Sequence, residues 1–461
     1  MVGHYFLTDY YSKSLFPKLF GWNPSFFGGF PQGQFYPSLF HWVAGGVGIL
    51  IGSFWSFKLM VTIAIILTPI AFLYFLRKLN FSDTESAFSL LILTTIMISI
   101  DTSPIPGGDF TSTFLVGLVS QALSIPLLFF YLGVLIEGFR KNNFILSSIL
   151  LTLLLLTHAF TAIVGVLAAS IIFLVSVSSD RTRLSEYLST AFFHAVLTFS
   201  LAAFWFLPFV AKGQLTSLVA LPGGLAPIPP LVLVLLVFAI IITLLNRDNR
   251  IIIPLAISIP FVAAFIFKDF LLPFLPIQLY RFALYPLLFL AVPTGLALSA
   301  VYARVQYLFP LILTGDRVKV FFALLCLMIF VLYFPFTQLA NPRGTISMSF
   351  SLPSVEGRVL TLPVYSPFID TTTHIASHLT AFDGNEEING LFIESTPNAY
   401  FIVHIKKEIN EFSPIWGVVF EKLRTPENRR LLLPFHFKYF DINYVLLIWI
   451  RCNLFLHLIL P

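Results

Sequence analysis

The stretch "SIDTSPIPGGDFTSTF" carries two carboxylates, Asp101 and Asp109, in a run rich in turn residues. Such groups can serve as general base or hold a divalent metal such as Mg or Mn, and Asp109 is the candidate metal ligand. His4 and Asp9 stand near the start, His158 in the tight turn "LTHAFTA", and Lys268, Asp269 and Arg281 beside later turns. Arg281 can clamp a phosphate. Each has a plainer reading. Asp109 can cap a helix starting at Phe110, Asp101 can close a turn, and Asp9 can be a solvated loop residue. His158 can be a helix-breaking residue, and Arg281 and Lys268 can anchor spans at lipid headgroups. "PGG" occurs twice with no lysine after it, so both copies are turns rather than phosphate loops.

A second pattern is aromatic. "GWNPSFFGGFPQGQFYPSLF" interleaves Trp22, Phe26, Phe27, Phe30, Phe35 and Tyr36 with glycine and proline. It predicts a loop lying on a membrane interface with its rings toward the lipid. Such a loop is a platform for a lipid-linked substrate, with Trp22 and Tyr36 as candidate binding residues, or an inert anchor.

These residues need a scaffold, and composition names it. The 461 residues are 57% hydrophobic and 11% charged, far below the roughly 25% charge of a soluble domain. Apolar runs of about 20 residues recur, long enough to cross a bilayer. The two cysteines form no disulfide framework and no CxxC motif. The net charge of +5 sits in short loops between spans, which excludes a nucleic-acid reading. Ten spans are expected, near 57–76, 83–100, 111–136, 142–157, 160–177, 187–208, 229–245, 250–267, 280–302 and 318–336. Alternate loops hold eleven Lys/Arg on one side against six on the other, which places the richer set in the cytoplasm. All the candidate residues above then face outward. The apolar stretch 39–55 would invert this bias if it crossed, so it is read as an interfacial or re-entrant helix. Its glycines Gly45, Gly46, Gly48 and Gly52 suit close packing.

After residue 336 the composition turns polar, with strand-like "RVLTLPVY", "GLFIES" and "YFIVHI". The fold class is thus an all-α polytopic membrane bundle with a small α+β extracytoplasmic C-terminal domain. The boundaries are 1–336, including an outer first loop 1–56, and 337–461. "INYVLLIWIRCNLFLHLIL" reads equally as a buried strand and as a weak span broken by Arg451.

The run "W-N-P…G-G-F-P…F-Y-P-S-L", followed by a span ending "YFLRKL", resembles the first outer loop of GT-C class membrane glycosyltransferases. Those often carry "YPPL" or "HPPL", where this chain has Ser38. The chain also resembles an archaeal and bacterial integral membrane family labelled 6-pyruvoyl-tetrahydropterin synthase related. The shared features are this loop, the histidine turn "LTHAFTA", "EGRVLTLP" (356–363) and "INYVLL" (442–447). Nothing in it is similar to the soluble pterin synthase. The resemblance implies a plasma-membrane glycosyltransferase that takes sugar from a polyprenyl-phosphate donor at the outer face and passes it to a glycan or protein acceptor. It implies catalytic carboxylates at Asp109 and Asp101, with Asp9 as the in-chain fallback, and substrate contacts at His4, His158, Arg281, Trp22 and Tyr36. It also implies a further span before the first loop and a catalytic acid just ahead of Gly3–His4. The chain is therefore expected to be truncated at its N-terminus and inactive or nearly so. Two other classes stay open: a non-catalytic membrane scaffold whose outer domain binds partners, and a transporter of lipid or polysaccharide. A transporter predicts inverted repeats and midplane charges, and neither is visible.

Overall fold

A computed structural model describes residues 2–99, 109–115, 117–213, 230–246, 249–267 and 279–308, four strand segments within 358–460, and positions 380 and 396. Asp101, Lys268, Asp269, the expected span 318–336 and the segments "GLFIES" and "YFIVHI" lie outside the described residues. The chain divides into two compact units. One holds residues 1–59, 205–224 and 346–461, and the other 60–204 and 225–345.

The larger unit is a helical bundle. Its elements follow the expected spans: α3 (Ser53–Lys78, begun in the other unit), α4 (Asp83–Ser99), α6 (Val119–Lys141), α7 (Ile145–Thr157), α8 (Ala159–Ser179), α9 (Leu184–Lys212, ending in the other unit), α10 (Pro230–Asn246), α11 (Ile252–Ile266) and α12 (Leu284–Leu308). Among the described residues, α3, α6, α8, α9 and α12 are long and apolar enough to cross a membrane. One expected span is corrected: 111–136 is two helices, not one. The short α5 (Phe110–Leu115) ends before Gly117, whose φ of +89° puts the backbone where non-glycine residues are strained.

Helix α12 forms the centre, with Leu287 to Val292 fully buried. In a bilayer, lipid is as apolar as leucine, so helices associate by close packing and polar contacts rather than by expulsion from water. Phe129 of α6 stands edge-on to Phe72 of α3 and to Phe289 of α12, with centroids 5.0 and 5.9 Å apart. Such edge contacts contribute about 0.5–1.5 kcal/mol each beyond their area. Helix α9 shows how sequence sorts faces. Leu188, Phe192, Phe193 and Phe199 are exposed, as lipid-facing residues are. Four-residue spacing puts Thr190, His194 and Thr198 on the opposite face. There Thr190 bonds Asn142, His194 bonds Ser148 (2.8 Å) and Tyr131 (3.1 Å), and Thr198 donates to the Ser148 carbonyl at 3.5 Å.

The basic loops meet at one end of this unit. Lys78 and Lys141 share Glu137, Arg183 reaches the Arg140 carbonyl, and Arg250 grips Glu85 through both guanidinium nitrogens at 2.8 and 3.0 Å.

In the smaller unit, the opening segment is not the loop its composition suggests. Val2–Tyr10 forms α1, followed by a π-turn over Tyr11–Leu15. The reason is tertiary: α1 lies on α2 (Leu39–Ile51), whose glycines admit it. A Cβ on Gly45 would stand 2.4 Å from the Tyr11 Cβ and 3.3 Å from the Thr8 carbonyl oxygen, and one on Gly48 3.2 Å from the Ser12 hydroxyl. At ~1.5 Å per residue, the 13 residues of α2 fall short of a bilayer. Gly52 breaks α2 from α3 at φ +84°, ψ 141°.

Between α1 and α2, three-residue strands β1 (Gly21–Asn23) and β2 (Phe30–Gln32) pair antiparallel. The expected lipid-facing belt is corrected here. Phe26, Phe27, Phe30 and Phe35 are buried, Tyr36 is half-buried and Trp22 is exposed. So short a loop lacks enough other apolar side chains for a core, and its own rings supply one. Phe26 packs on Phe6 of α1 (4.8 Å between centroids) and on Phe30 (6.1 Å).

The same unit contains a four-stranded sheet in the order β4-β3-β5-β6. The strands are β3 (Arg358–Tyr365), β4 (Glu386–Glu387), β5 (Ile442–Arg451) and β6 (Leu454–Leu460). "RVLTLPVY" is the strand its composition predicts. The ambiguous closing stretch is a hairpin rather than a span, with Arg451 opposite Leu454.

Candidate functional site

Within the helical bundle, the N-terminal ends of α6, α8 and α12 build a buried polar cluster. His158 ends α7 and caps α8 in extended conformation (φ −159°, ψ 108°), with Nδ1 accepting from the Thr161 backbone N–H at 3.3 Å. The Thr161 hydroxyl lies 2.8 Å from the same nitrogen, 2.6 Å from the Ser124 hydroxyl and 2.5 Å from the Tyr285 hydroxyl. Gln121 donates to Tyr285 at 3.4 Å. Gln121 Oε1 and the Ser120 hydroxyl are buried without hydrogen-bond partners among the described residues. Arg281, half-buried in the turn before α12, places its guanidinium 5.8 Å from the centre of the Phe160 ring. Burial first, and the charge of Arg281 second, push the His158 imidazole down to about 3, so it is neutral near pH 7.

Asp109 is fully buried at the start of α5, where its carbonyl accepts from the Thr113 amide and hydroxyl. Asp109 thus stands directly before the first residue of α5, the position a capping residue takes. Helix α5 packs against α4 and α6. The charge of Arg281 is felt at His158, and Phe160 lies between the two, its ring centre 5.7 Å from the His158 ring. Sequence reading passed over Ser124, Thr161, Gln121 and Tyr285, which look like ordinary members of apolar spans. Polar residues three or four apart near one end of a span were the available signal.

The smaller unit holds a second polar centre. His4 Nδ1 lies 3.1 Å from His41 Nε2, with the rings stacked at 5.2 Å. His41 Nδ1 lies 3.1 Å from the Thr8 hydroxyl, which donates to the His4 carbonyl at 3.2 Å. With that proton so placed, His41 donates to Thr8 and accepts from His4, closing a ring of three side chains. Burial pushes His41 down to about 3. Beside it, Leu7, Tyr11, Gln32, Tyr36, Ser38 and His41 line a cleft whose free volume of about 10 Å³ is room for one water. Tyr11 donates its one proton to the Leu19 carbonyl (2.7 Å), so its oxygen accepts from the Ser38 hydroxyl 3.0 Å away. Asp9 is committed elsewhere, accepting from Ser53 at 2.5 Å and pairing with Lys13 at 2.8 Å. The Trp22 carbonyl accepts from Tyr10 at 3.0 Å. His41 was missed in sequence because it sits inside "LFHWVAGG", which reads as packing.

Among the described residues no group of three or more His, Cys, Asp or Glu comes together. Asp109 does not make a Mg or Mn site with the described residues.

Residues 33–221 match the model of the 6-pyruvoyl-tetrahydropterin synthase related domain, a membrane protein family. The match covers His41, Asp109 and His158 and stops before Arg281. No curated protein matches the sequence. The fold is similar to that of the Archaeoglobus fulgidus oligosaccharyltransferase crystallised with a tethered acceptor peptide containing the NVT sequon. The TM-score is 0.53 at 13% identity, over 96% of this chain and 64% of that one. A second crystal structure of that protein, in complex with Zn and sulfate, superposes with a TM-score of 0.49 at 13% identity, over 97% and 63%. The chain thus spans under two thirds of that protein's length. It is a membrane protein, mostly helical, and the expected likeness to GT-C class glycosyltransferases holds at the level of fold.

Proposed function

We propose that the protein is a membrane glycosyltransferase that uses a polyprenyl-phosphate-linked sugar at the outer face of the plasma membrane. The carrying observation is the buried polar end of α6, α8 and α12 with Arg281 at its rim, set in a fold similar to an oligosaccharyltransferase. Arg281 holds the donor phosphate and stabilises the negative charge that grows on it as the sugar leaves. The acceptor hydroxyl or amide attacks the anomeric carbon from the opposite side. The new bond forms to carbon as the bond to phosphate oxygen breaks, and the acceptor proton passes to a carboxylate. Asp109 is the described carboxylate proposed for that role, with Asp101 as its partner. Asp9, tied to Ser53 and Lys13, is proposed to join α1 to α3 rather than to react.

The test is transfer of labelled sugar from a polyprenyl-phosphate donor to peptide and glycan acceptors in proteoliposomes. Slow but measurable transfer is expected, with Arg281→Gln lowering the rate about 100-fold. Absence of transfer from a folded protein overturns the proposal. That result favours the scaffold reading.

A further inference from the structure

His158 is more sharply specified than its place in a turn requires. A backbone N–H can only donate, so the Thr161 amide at 3.3 Å demands a lone pair on His158 Nδ1. The imidazole is therefore neutral with its proton on Nε2. This follows from geometry alone. Tyr285, accepting from Gln121, turns its own proton to Thr161, which fixes the residue that fixes the ring. His158 is 6% exposed, and its hydrogen bonds among the described residues are all made through Nδ1, which leaves Nε2–H outside the cluster's own network. Beside it, the Ser120 hydroxyl and Gln121 Oε1 are buried without partners among the described residues, and such unmet polar groups are costly unless something meets them. The nearby permanent cation Arg281 selects the sign of that partner.

We propose that His158 is a locked neutral donor whose Nε2–H hydrogen-bonds an anionic phosphoryl oxygen balanced by Arg281, with Thr161 as its positioning residue. The choice of a lipid-linked phosphate rests on the proposed function; the donor role does not. His158 does not act as a base, because one nitrogen is occupied by α8 and the other carries the proton. A neutral donor adds direction without adding a second positive charge, so the phosphate is held yet can still be released.

The experiment measures binding of a polyprenyl phosphate in detergent, and of inorganic pyrophosphate, to the full chain and its variants. Asn at 158 keeps both a cap acceptor and a donor. Asp keeps the cap but removes the donor and repels the anion. Wild type and His158→Asn should bind the lipid phosphate within about threefold of each other, whereas His158→Asp and Arg281→Gln should weaken it at least about tenfold. Thr161→Val should weaken it several-fold, and Thr161→Ser should restore it. Pyrophosphate binding with the same variant pattern makes free phosphate a second source. Its absence confines the site to lipid-linked phosphate, and the donor role stands in both cases. No lipid-phosphate binding by wild type, or a folded His158→Asp variant that binds like wild type, overturns the proposal. If His158→Asp does not fold, equal binding by wild type, Thr161→Val and Thr161→Ser overturns it. Binding with this pattern but no sugar transfer removes the proposed function and leaves this inference. Undiminished transfer by His158→Asp does the reverse.

Discussion

His41 illustrates how a single side chain couples the smaller unit to pH. Unfolded, its imidazole titrates near 6.5. Folded, burial pushes it down to about 3. Above pH 6.5 both states are neutral and His41 adds no pH dependence. As pH falls below that, the unfolded chain takes up the proton and the folded one does not until about pH 3. Across that window stability is lost at up to about 1.4 kcal/mol per pH unit. The thermal midpoint of wild type should therefore drop further between pH 7 and pH 5 than that of His41→Gln, and equal drops would count against it. The ring of His4, His41 and Thr8 was only half legible. His4 stood out because it opens a polar stretch. His41 did not, because a histidine within an apolar run gives no hint that it faces inward, 37 residues along the chain, to meet another. Buried polar contacts are long-range facts, and local pattern cannot contain them.

Among elements, the break between α2 and α3 carries the clearest test. Gly52 sits at φ +84°, ψ 141°, with open space where a Cβ would be. The obstacle to another residue is conformational, not steric crowding by neighbours. Gly52→Ala should cost about 1–3 kcal/mol, read as a lowered unfolding midpoint in detergent. An unchanged midpoint would mean that the two helices join without this bend. Gly45 is the converse case: its φ is ordinary, but a Cβ would collide with Tyr11. Gly45→Leu should part α1 from α2 and make Thr8 amide exchange faster. The spans were legible because a bilayer demands long apolar runs and sets their length. "RVLTLPVY" was legible because β-branched and alternating residues state a strand locally. Helix α1 was not, since "VGHYFLTDY" owes its conformation to the glycine face of α2. The aromatic loop showed its composition but not its direction, because interfacial and self-packing rings have the same sequence.

For the whole bundle, the pairing of loops sets a topology. Lys78 with Glu137, Arg183 with the Arg140 carbonyl, and Arg250 with Glu85 bring four basic loops to one end. Cysteines placed at the exposed positions Ser82, Asn143 and Ser179 should then react with an impermeant maleimide from the same side of the membrane. Labelling from opposite sides would split the end that these contacts unite.

In the smaller unit, Trp205 donates to the Gly33 carbonyl at 2.8 Å, and Gln34 returns a bond to the Trp205 carbonyl at 3.4 Å. These partners are 172 and 171 residues apart. A ribosome adding about 5–20 residues per second needs roughly 10–30 s to bring Trp205 into being after Gly33. Through that interval the aromatic segment has been made and its latch has not. The aromatic segment is thus secured long after it is made, and a cell making this protein must shelter it until the end of α9 emerges.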